Sequence, residues 1–174
     1  TPAAPAAQAP VQPPFPADAK YAIVNIQRVA NESIEGKAAT NKVNALVAKK
    51  QAEGADKTKQ LQTAQQRMDS GGSVMSAAAQ AALQKDIDRL TLDIQRFNED
   101  AQQEVQLLQN DLMGDFQNKL LPIIDAVAKE KKVQLVFSEA DAGLVWRDPA
   151  LDITLEVIRK FDRSEEHTSE LQSR

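Results

Sequence analysis

The chain lacks the residues that carry most covalent, redox and metal chemistry. Its 174 residues include no cysteine and a single histidine, His167, near the C-terminal end. The missing thiols exclude thiol catalysis, zinc–thiolate sites and disulfides. One histidine supplies neither a catalytic pair nor a metal-binding set. Acid pairs such as Asp86 and Asp88 are present, but catalysis needs buried acids with perturbed pKa values, and these lie in a solvated helical segment. We therefore expect no enzyme and no cofactor.

The low aromatic content, the short apolar runs and the lack of positive charge limit the size of the core and the kinds of partner. Aromatic residues make up only 4% of the chain, so a deep globular core is not expected. No apolar run is long enough to span a bilayer. The net charge is −4 and the isoelectric point is about 5.1, which gives no basic footprint for nucleic acid.

What the chain does contain is a long stretch of helix-forming sequence between short β-like segments. The strand candidates are residues 21–25, 133–137 and 143–146. Between them, helical sequence is broken once, by Ser-Gly-Gly-Ser at 70–73. This layout predicts a mostly helical α+β chain, with a base built from two parts of the sequence and an antiparallel helical arm between them. The predicted base comprises residues 20–37 and 121–162, and the predicted arm comprises residues 38–120, with its tip near 70–75.

Hydrophobic spacing supports the arm. In the returning helix, apolar residues follow one another at steps of three or four, which places them on one face in the manner of a coiled-coil seam. They are Leu83, Ile87, Leu90, Ile94, Phe97, Ala101, Val105, Leu108, Leu112, Phe116 and Leu120. The outgoing helix has a thinner stripe, with Val43, Leu46, Val47, Leu61, Ala64 and Met68. Gly54 in its middle costs about 1 kcal/mol relative to alanine, so we expect this helix to be the softer one. Pro122 removes one helical hydrogen bond, so we expect a kink in the returning helix where the arm meets the base.

The base is too small to be stable alone. Three short strands leave open edges and a narrow apolar face. We therefore expect an obligate oligomer whose copies complete the sheet together. The candidate oligomerisation residues are Tyr21, Ile23, Val24, Val133, Leu135, Val136, Phe137, Leu144 and Val145.

The arm tip is uncharged and rich in small residues. Four apolar residues at or near it form a candidate adaptable contact surface for a partner, since methionine suits such surfaces; a plain loop is the alternative. They are Met68, Val74, Met75 and Leu83.

Both ends differ in composition from the rest. Residues 1–19 hold six of the eight prolines, which predicts a disordered, solvated lead-in. Residues 163–174 read RSEEHTSELQSR, which resembles the translation of a sequencing adapter, so we expect a non-native tail that includes His167.

Two end blocks carry a family resemblance. Residues 21–39 contain a strand, a short helix with Gln-Arg, and Glu-Gly-Lys-Ala-Ala where the arm opens. Residues 121–161 contain Leu-Pro at the arm root and Asp-Pro-Ala-Leu-Asp-Ile-Thr before the last helix. In these blocks the chain resembles the Skp/OmpH family of periplasmic chaperones.

The resemblance implies a homotrimer in the periplasm. About three strands per chain would join into a small β-barrel, and three arms would enclose unfolded outer-membrane proteins without ATP. Better-known members are basic, whereas this chain is acidic, which argues against contact with lipopolysaccharide or an anionic membrane. A structural coiled-coil scaffold of the envelope that binds one folded partner is the alternative function.

Overall fold

The protein is mostly helical and carries one small sheet. A computed structural model describes residues 13–172, with side chains for residues 13–71 and 73–165. The elements in chain order are β1 (Tyr21–Val24), α1 (Ile26–Glu32), α2 (Ile34–Gly71), a 3-10 turn (Gly72–Val74), α3 (Ala77–Lys131), β2 (Leu135–Ser138), a second 3-10 turn (Pro149–Leu151) and α4 (Thr154–Gln172).

The chain forms two compact units. The base unit consists of the residues up to Ala38 and those from Gly114 onward, and the arm unit is Ala39–Met113. Each unit has its own packing.

The sheet of the base unit has two parallel strands. β1 pairs with β2 in a register that sets Tyr21 opposite Leu135 and Ile23 opposite Phe137. The other edge of β1 takes a single bridge from Ile23 to Asp152. Because side chains alternate along a strand, the intervening residues of both strands point to the opposite face. That face packs on the helices.

The helices α1, α3 and α4 supply the rest of the base core. The rings of Phe116 and Phe161 meet edge to face, with centroids 5.5 Å apart and an interplanar angle of 81°. The core cluster is made of Ala22, Val24, Val29, Phe116, Leu120, Val127, Ile153, Val157, Ile158 and Phe161. Phe116 and Leu120 were predicted as the last residues of the arm stripe, and both are buried in this core. The boundary between the units therefore falls at residue 114 and not at 120.

A tight crossing joins α1 to α2. The Ser33 hydroxyl accepts a hydrogen bond from the Gly36 N–H at 3.1 Å, and the Asp162 carboxylate of α4 accepts one from the Ile34 N–H at 2.8 Å. These bonds satisfy N–H groups that the start of a helix leaves unpaired. A Cβ on Gly36 would lie 1.9 Å from the Ala30 carbonyl oxygen. Only glycine fits there, which explains the glycine in the Glu-Gly-Lys segment.

The structure corrects two details of the predicted elements. Residues 143–146 are not a strand, because within the described part of the chain β2 pairs with β1 alone and no neighbouring strand offers hydrogen bonds to this segment. Helix α3 includes Pro122 and continues to Lys131, and the kink expected at Pro122 stays a prediction. At the tip, α2 extends through Gly71 and a 3-10 turn replaces the predicted loop.

The described part of the lead-in is attached to the base unit. Phe15 is half-buried against the core cluster, and the Lys131 ammonium lies 5.2 Å from its ring centroid. The prediction of a solvated segment is therefore wrong for Phe15, while residues 1–12 lie outside the described residues. At the other end, the Lys119 ammonium lies 3.1 Å from a carboxylate oxygen of Glu165. The predicted non-native origin of residues 163–174 stays a prediction.

The arm unit is built from α2 and α3 in contact. The Lys50 ammonium pairs with Glu104 at 2.5 Å, and Gly54 faces the Phe97 ring. Going along α2 from Lys50 to Gly54, the contacted residue of α3 moves back from Glu104 to Phe97. The two helices therefore run in opposite directions there. The predicted stripe residues between 43 and 68 and between 83 and 112 are all half-buried. The coiled-coil winding of the pair stays a prediction.

Candidate functional site

The base unit exposes several large apolar side chains. Tyr21, Leu135 and Phe137 lie on the sheet face that points away from the core. In the loop after β2, Val145 is fully exposed and Trp146 is 80% exposed. We call these residues, together with Leu144, the apolar set. Groups of large exposed apolar side chains mark interaction sites more often than single exposed apolar residues do.

The apolar set contains five of the nine predicted oligomerisation residues. Val133 and Val136 are half-buried against the core cluster. Within one chain Ile23 and Val24 are only 4% and 2% exposed. Val24 belongs to the core cluster, and Ile23 is covered although it lies on the same sheet face as Tyr21. Their part in oligomerisation stays a prediction. Trp146 was missing from the predicted residues, although it closes the third strand candidate.

Arg147 holds the loop that carries Leu144, Val145 and Trp146. Its Nε donates to Glu139 Oε1 at 2.8 Å, and its Nη2 donates to Asp152 Oδ2 at 3.1 Å. The other oxygen of Glu139 accepts a hydrogen bond from the Asn25 side-chain amide at 2.6 Å. Partial burial lowers the pKa of Arg147, but the hydrogen bond to Glu139 and the charges of Asp152 and Glu139 outweigh it and raise the pKa. The ends of the loop are thus tied to β1 and to the segment before α4.

Sequence reasoning missed this network. Glu139, Arg147 and Asp152 lie in one segment, Asn25 lies more than a hundred residues before it, and no periodic pattern links the four. The one available signal was the charged Arg-Asp pair directly after exposed apolar residues.

β2 also leaves backbone groups open. In the described residues it has one neighbour, β1, so its outer edge carries no strand. An unpaired edge beside exposed apolar side chains is a template for pairing with another chain.

Comparison with known proteins identifies the family. A family model described as "Outer membrane protein (OmpH-like)" matches residues 20–161, which is most of the chain. The chain belongs to the OmpH-like family. Among solved structures, an OmpH-like protein from Caulobacter crescentus, named as a candidate outer membrane chaperone, matches with a TM-score of 0.79 at 19% identity. The match covers 87% of this chain and 89% of that one, and it shows a shared fold. No curated protein is significantly similar in sequence.

The residues matched by the family model show which features of the chain lie inside the family region. It begins at Lys20, after Phe15, and ends at Phe161, one residue before the Asp162 cap. It includes the whole apolar set and the Arg147 network. No helix in the described part of this OmpH-like chain combines the length and hydrophobicity needed to cross a bilayer.

The predicted client residues near the tip differ in exposure. Val74 is 87% exposed, whereas Met68, Met75 and Leu83 are half-buried. The Met75 methyl lies 3.3 Å from the position that a Cβ on Gly71 would occupy. Val74 is therefore the most accessible apolar side chain of the four, and client binding at the tip stays a prediction.

Proposed function

We propose that this OmpH-like protein is an ATP-independent holdase that binds unfolded outer-membrane proteins in the periplasm and prevents their aggregation. The observation that carries the proposal is the exposure of the arm unit. Its long apolar stripe is half-buried, and none of its described residues is fully buried. A surface of many partly covered apolar groups suits a client without a fold, since numerous weak contacts add up to firm binding. Family membership and the relative named as a candidate outer membrane chaperone support this reading.

We also propose that three copies assemble through the base unit. A two-stranded sheet is at best marginally stable, and each Å² of exposed apolar surface costs about 25 cal/mol. Pairing of the open β2 edge with a neighbouring chain, and coverage of Trp146 and Val145, would remove both costs. The full assembly would be a small barrel of strands from three chains, with the helix pairs wound as coiled coils around the client.

The role that we propose is binding without catalysis. It needs no cofactor, and its partners are further copies of the chain and unfolded outer-membrane proteins. The net charge of −4 argues against lipopolysaccharide or an anionic membrane as the main partner.

Aggregation of a denatured porin tests the holdase function. A urea-denatured porin is diluted into buffer with increasing amounts of the protein and no ATP, and light scattering is recorded. We expect scattering to disappear near one trimer per porin. Unchanged scattering, with the protein itself folded, would contradict the function and favour a scaffold that ignores unfolded chains.

Native mass tests the assembly. Trp146 is the only tryptophan, so its emission also reports whether the indole is covered. We expect three chains per particle, and a smaller particle with red-shifted emission for Val145→Ser, which keeps Trp146. Val74→Ser, which removes an equally exposed valine at the tip, should keep the native mass. A wild-type particle of one folded chain at micromolar concentration would contradict the assembly.

A further inference from the structure

A cleft lies between α2 and α3 inside the arm unit. Its volume is 740 Å³, within the range of about 300–1,000 Å³ found for ligand sites. Its floor is made of the half-buried residues Val47, Phe97, Ala101 and Val105. Gly54 also lines the cleft, and a Cβ on it would lie 3.3 Å from a ring carbon of Phe97.

The lining of the cleft contains one charged residue. Lys50 is its only charged residue, and its ammonium is 2.5 Å from Glu104 and 3.9 Å from Glu53. The hydrogen bond to Glu104 raises the pKa of Lys50. The outer faces of both helices carry many charges. At the cleft the Lys50 ammonium is paired, and the Lys57 ammonium, which is outside the lining, lies 5.5 Å from the Phe97 ring centroid. Apart from these two ammonium groups, the cleft is uncharged. An uncharged occupant complements it.

Amide side chains form the rim. Asn98, Gln102 and Gln109 lie along α3, and Gln51 lies on α2. Within the described residues, the structure gives none of these four side-chain amides a hydrogen-bond partner. Each amide both donates and accepts, which is the pattern that the backbone of an extended peptide requires.

The spacing of the floor matches a β-strand. Phe97, Ala101 and Val105 are four residues apart on one helix, so they recur about every 6 Å. Side chains on one face of an extended chain recur about every 6.6 Å. The rim from Asn98 to Gln109 spans about 16 Å, which is the length of about five extended residues. A helical occupant, about 10 Å wide, would not match this narrow floor.

We propose that this cleft binds one extended, uncharged client segment of about five residues in which apolar and polar side chains alternate. Alternate apolar side chains would meet Phe97, Ala101 and Val105, while the rim amides bond the backbone between them. Alternation of this kind is the pattern of strands in membrane-spanning β-barrels. The inference rests on the proposed holdase function and assigns it a site in the middle of the arm unit, away from the predicted tip residues.

Peptide binding tests the specificity of the cleft. Two labelled, uncharged peptides of equal composition are compared by fluorescence anisotropy, one with alternating valine and threonine and one with the valines in a block. We expect the alternating peptide to bind about tenfold more tightly. Equal affinities for both peptides would overturn the proposal.

A matched pair of variants locates the site. Ala101→Glu places a carboxylate on the floor, and Gln103→Glu places the same group two residues further on, outside the cleft lining. We expect Ala101→Glu to weaken binding of the alternating peptide about tenfold and Gln103→Glu to change it less than twofold, with helicity checked by circular dichroism. Unchanged binding by Ala101→Glu would overturn the proposal.

Photocrosslinking keeps the test independent of how Ala101→Glu folds. A benzophenone amino acid is placed at Gln102, on the rim, or at Gln103, and a urea-denatured porin is the target. Crosslinks from 102 that clearly exceed those from 103 support the cleft, and equal yields overturn it. If the wild type fails to suppress porin aggregation, the holdase function itself fails. If the wild type suppresses it but the two crosslink yields are equal, only the assignment of the cleft fails.

Discussion

The base unit and the arm unit differ in how far they bury their apolar side chains. The base unit collects side chains that are distant in sequence, such as Val24, Phe116 and Phe161, into a core that is almost completely removed from water. In the arm unit no described residue is buried, although its apolar stripe is longer than any in the base. The base therefore gains free energy from packing, and the arm depends more on its helical hydrogen bonds. The difference suits a fixed platform and an adaptable binding surface.

The comparison also concerns dynamics. Regions with few buried apolar contacts open with lower free energies than a packed core. We expect the arm to exchange its amide hydrogens sooner than the strands and α4. Matched substitutions in the two units should be compared at one fixed protein concentration, because assembly makes stability concentration-dependent.

The largest effect is expected for Gly36→Ala. The new methyl group would lie 1.9 Å from the Ala30 carbonyl oxygen, so α1 and α2 would have to separate. We expect a loss of more than about 3 kcal/mol in the free energy of unfolding, measured by urea titration. Gly114→Ala is the control, because nothing lies within 4 Å of its new Cβ. A midpoint for Gly36→Ala close to that of the wild type would show that the crossing can relax.

A pair of leucine truncations compares the units directly. Leu120 in the base is 2% exposed, and Leu90 in the arm is half-buried. Leu120→Ala should cost about 3 kcal/mol through lost burial and the cavity it leaves. Leu90→Ala should cost about 1 kcal/mol, since its side chain already meets water. Equal losses in urea titrations would mean that the arm seam is as well packed as the core.

The arm was the more predictable of the two units. Its stripe depends on a period of 3.6 residues along one helix, which is a local property that a sequence displays. Each predicted residue from Leu83 to Leu112 is accordingly half-buried. The sequence also contains an indication of the cleft. Lys50, Gly54 and Lys57 interrupt the apolar stripe of α2 where Phe97 faces it.

The base was less predictable because its contacts are non-local. Residues 143–146 have strand-forming composition, but a strand also needs a partner, and one chain provides none for them in the described residues. Phe15 lies in a proline-rich segment that indicates solvation, yet the core covers it. The Arg147 network and the Asp162 cap join residues more than one element apart. No single-sequence pattern encodes such pairs.

The Asp162 cap should have a moderate effect. Its carboxylate accepts the Ile34 N–H at the start of α2, where negative charge is also favourable. Asp162→Ala should cost about 1 kcal/mol of unfolding free energy. Asp93→Ala, at an exposed aspartate within α3, should be neutral or slightly stabilising because alanine is the better helix former. A neutral Asp162→Ala would show that water satisfies the Ile34 N–H equally well.

The smallest effect is expected for Gly54→Ala, which tests whether the Phe97 ring can move in the contact between α2 and α3. Alanine at a helix-interior glycine gains about 0.5–1 kcal/mol, and we expect this gain for Gly114→Ala. At Gly54 the new Cβ would lie 3.3 Å from a ring carbon of Phe97, so the ring must move by a few tenths of an ångström. The neighbouring cleft gives the ring that space, so Gly54→Ala should still be stabilising, by about 0.3 kcal/mol. If urea titration instead showed a loss above about 1 kcal/mol, Phe97 would be held as firmly as a core residue. The contrast between a rigid base and a yielding arm would then be wrong at the middle of the arm, where the cleft lies.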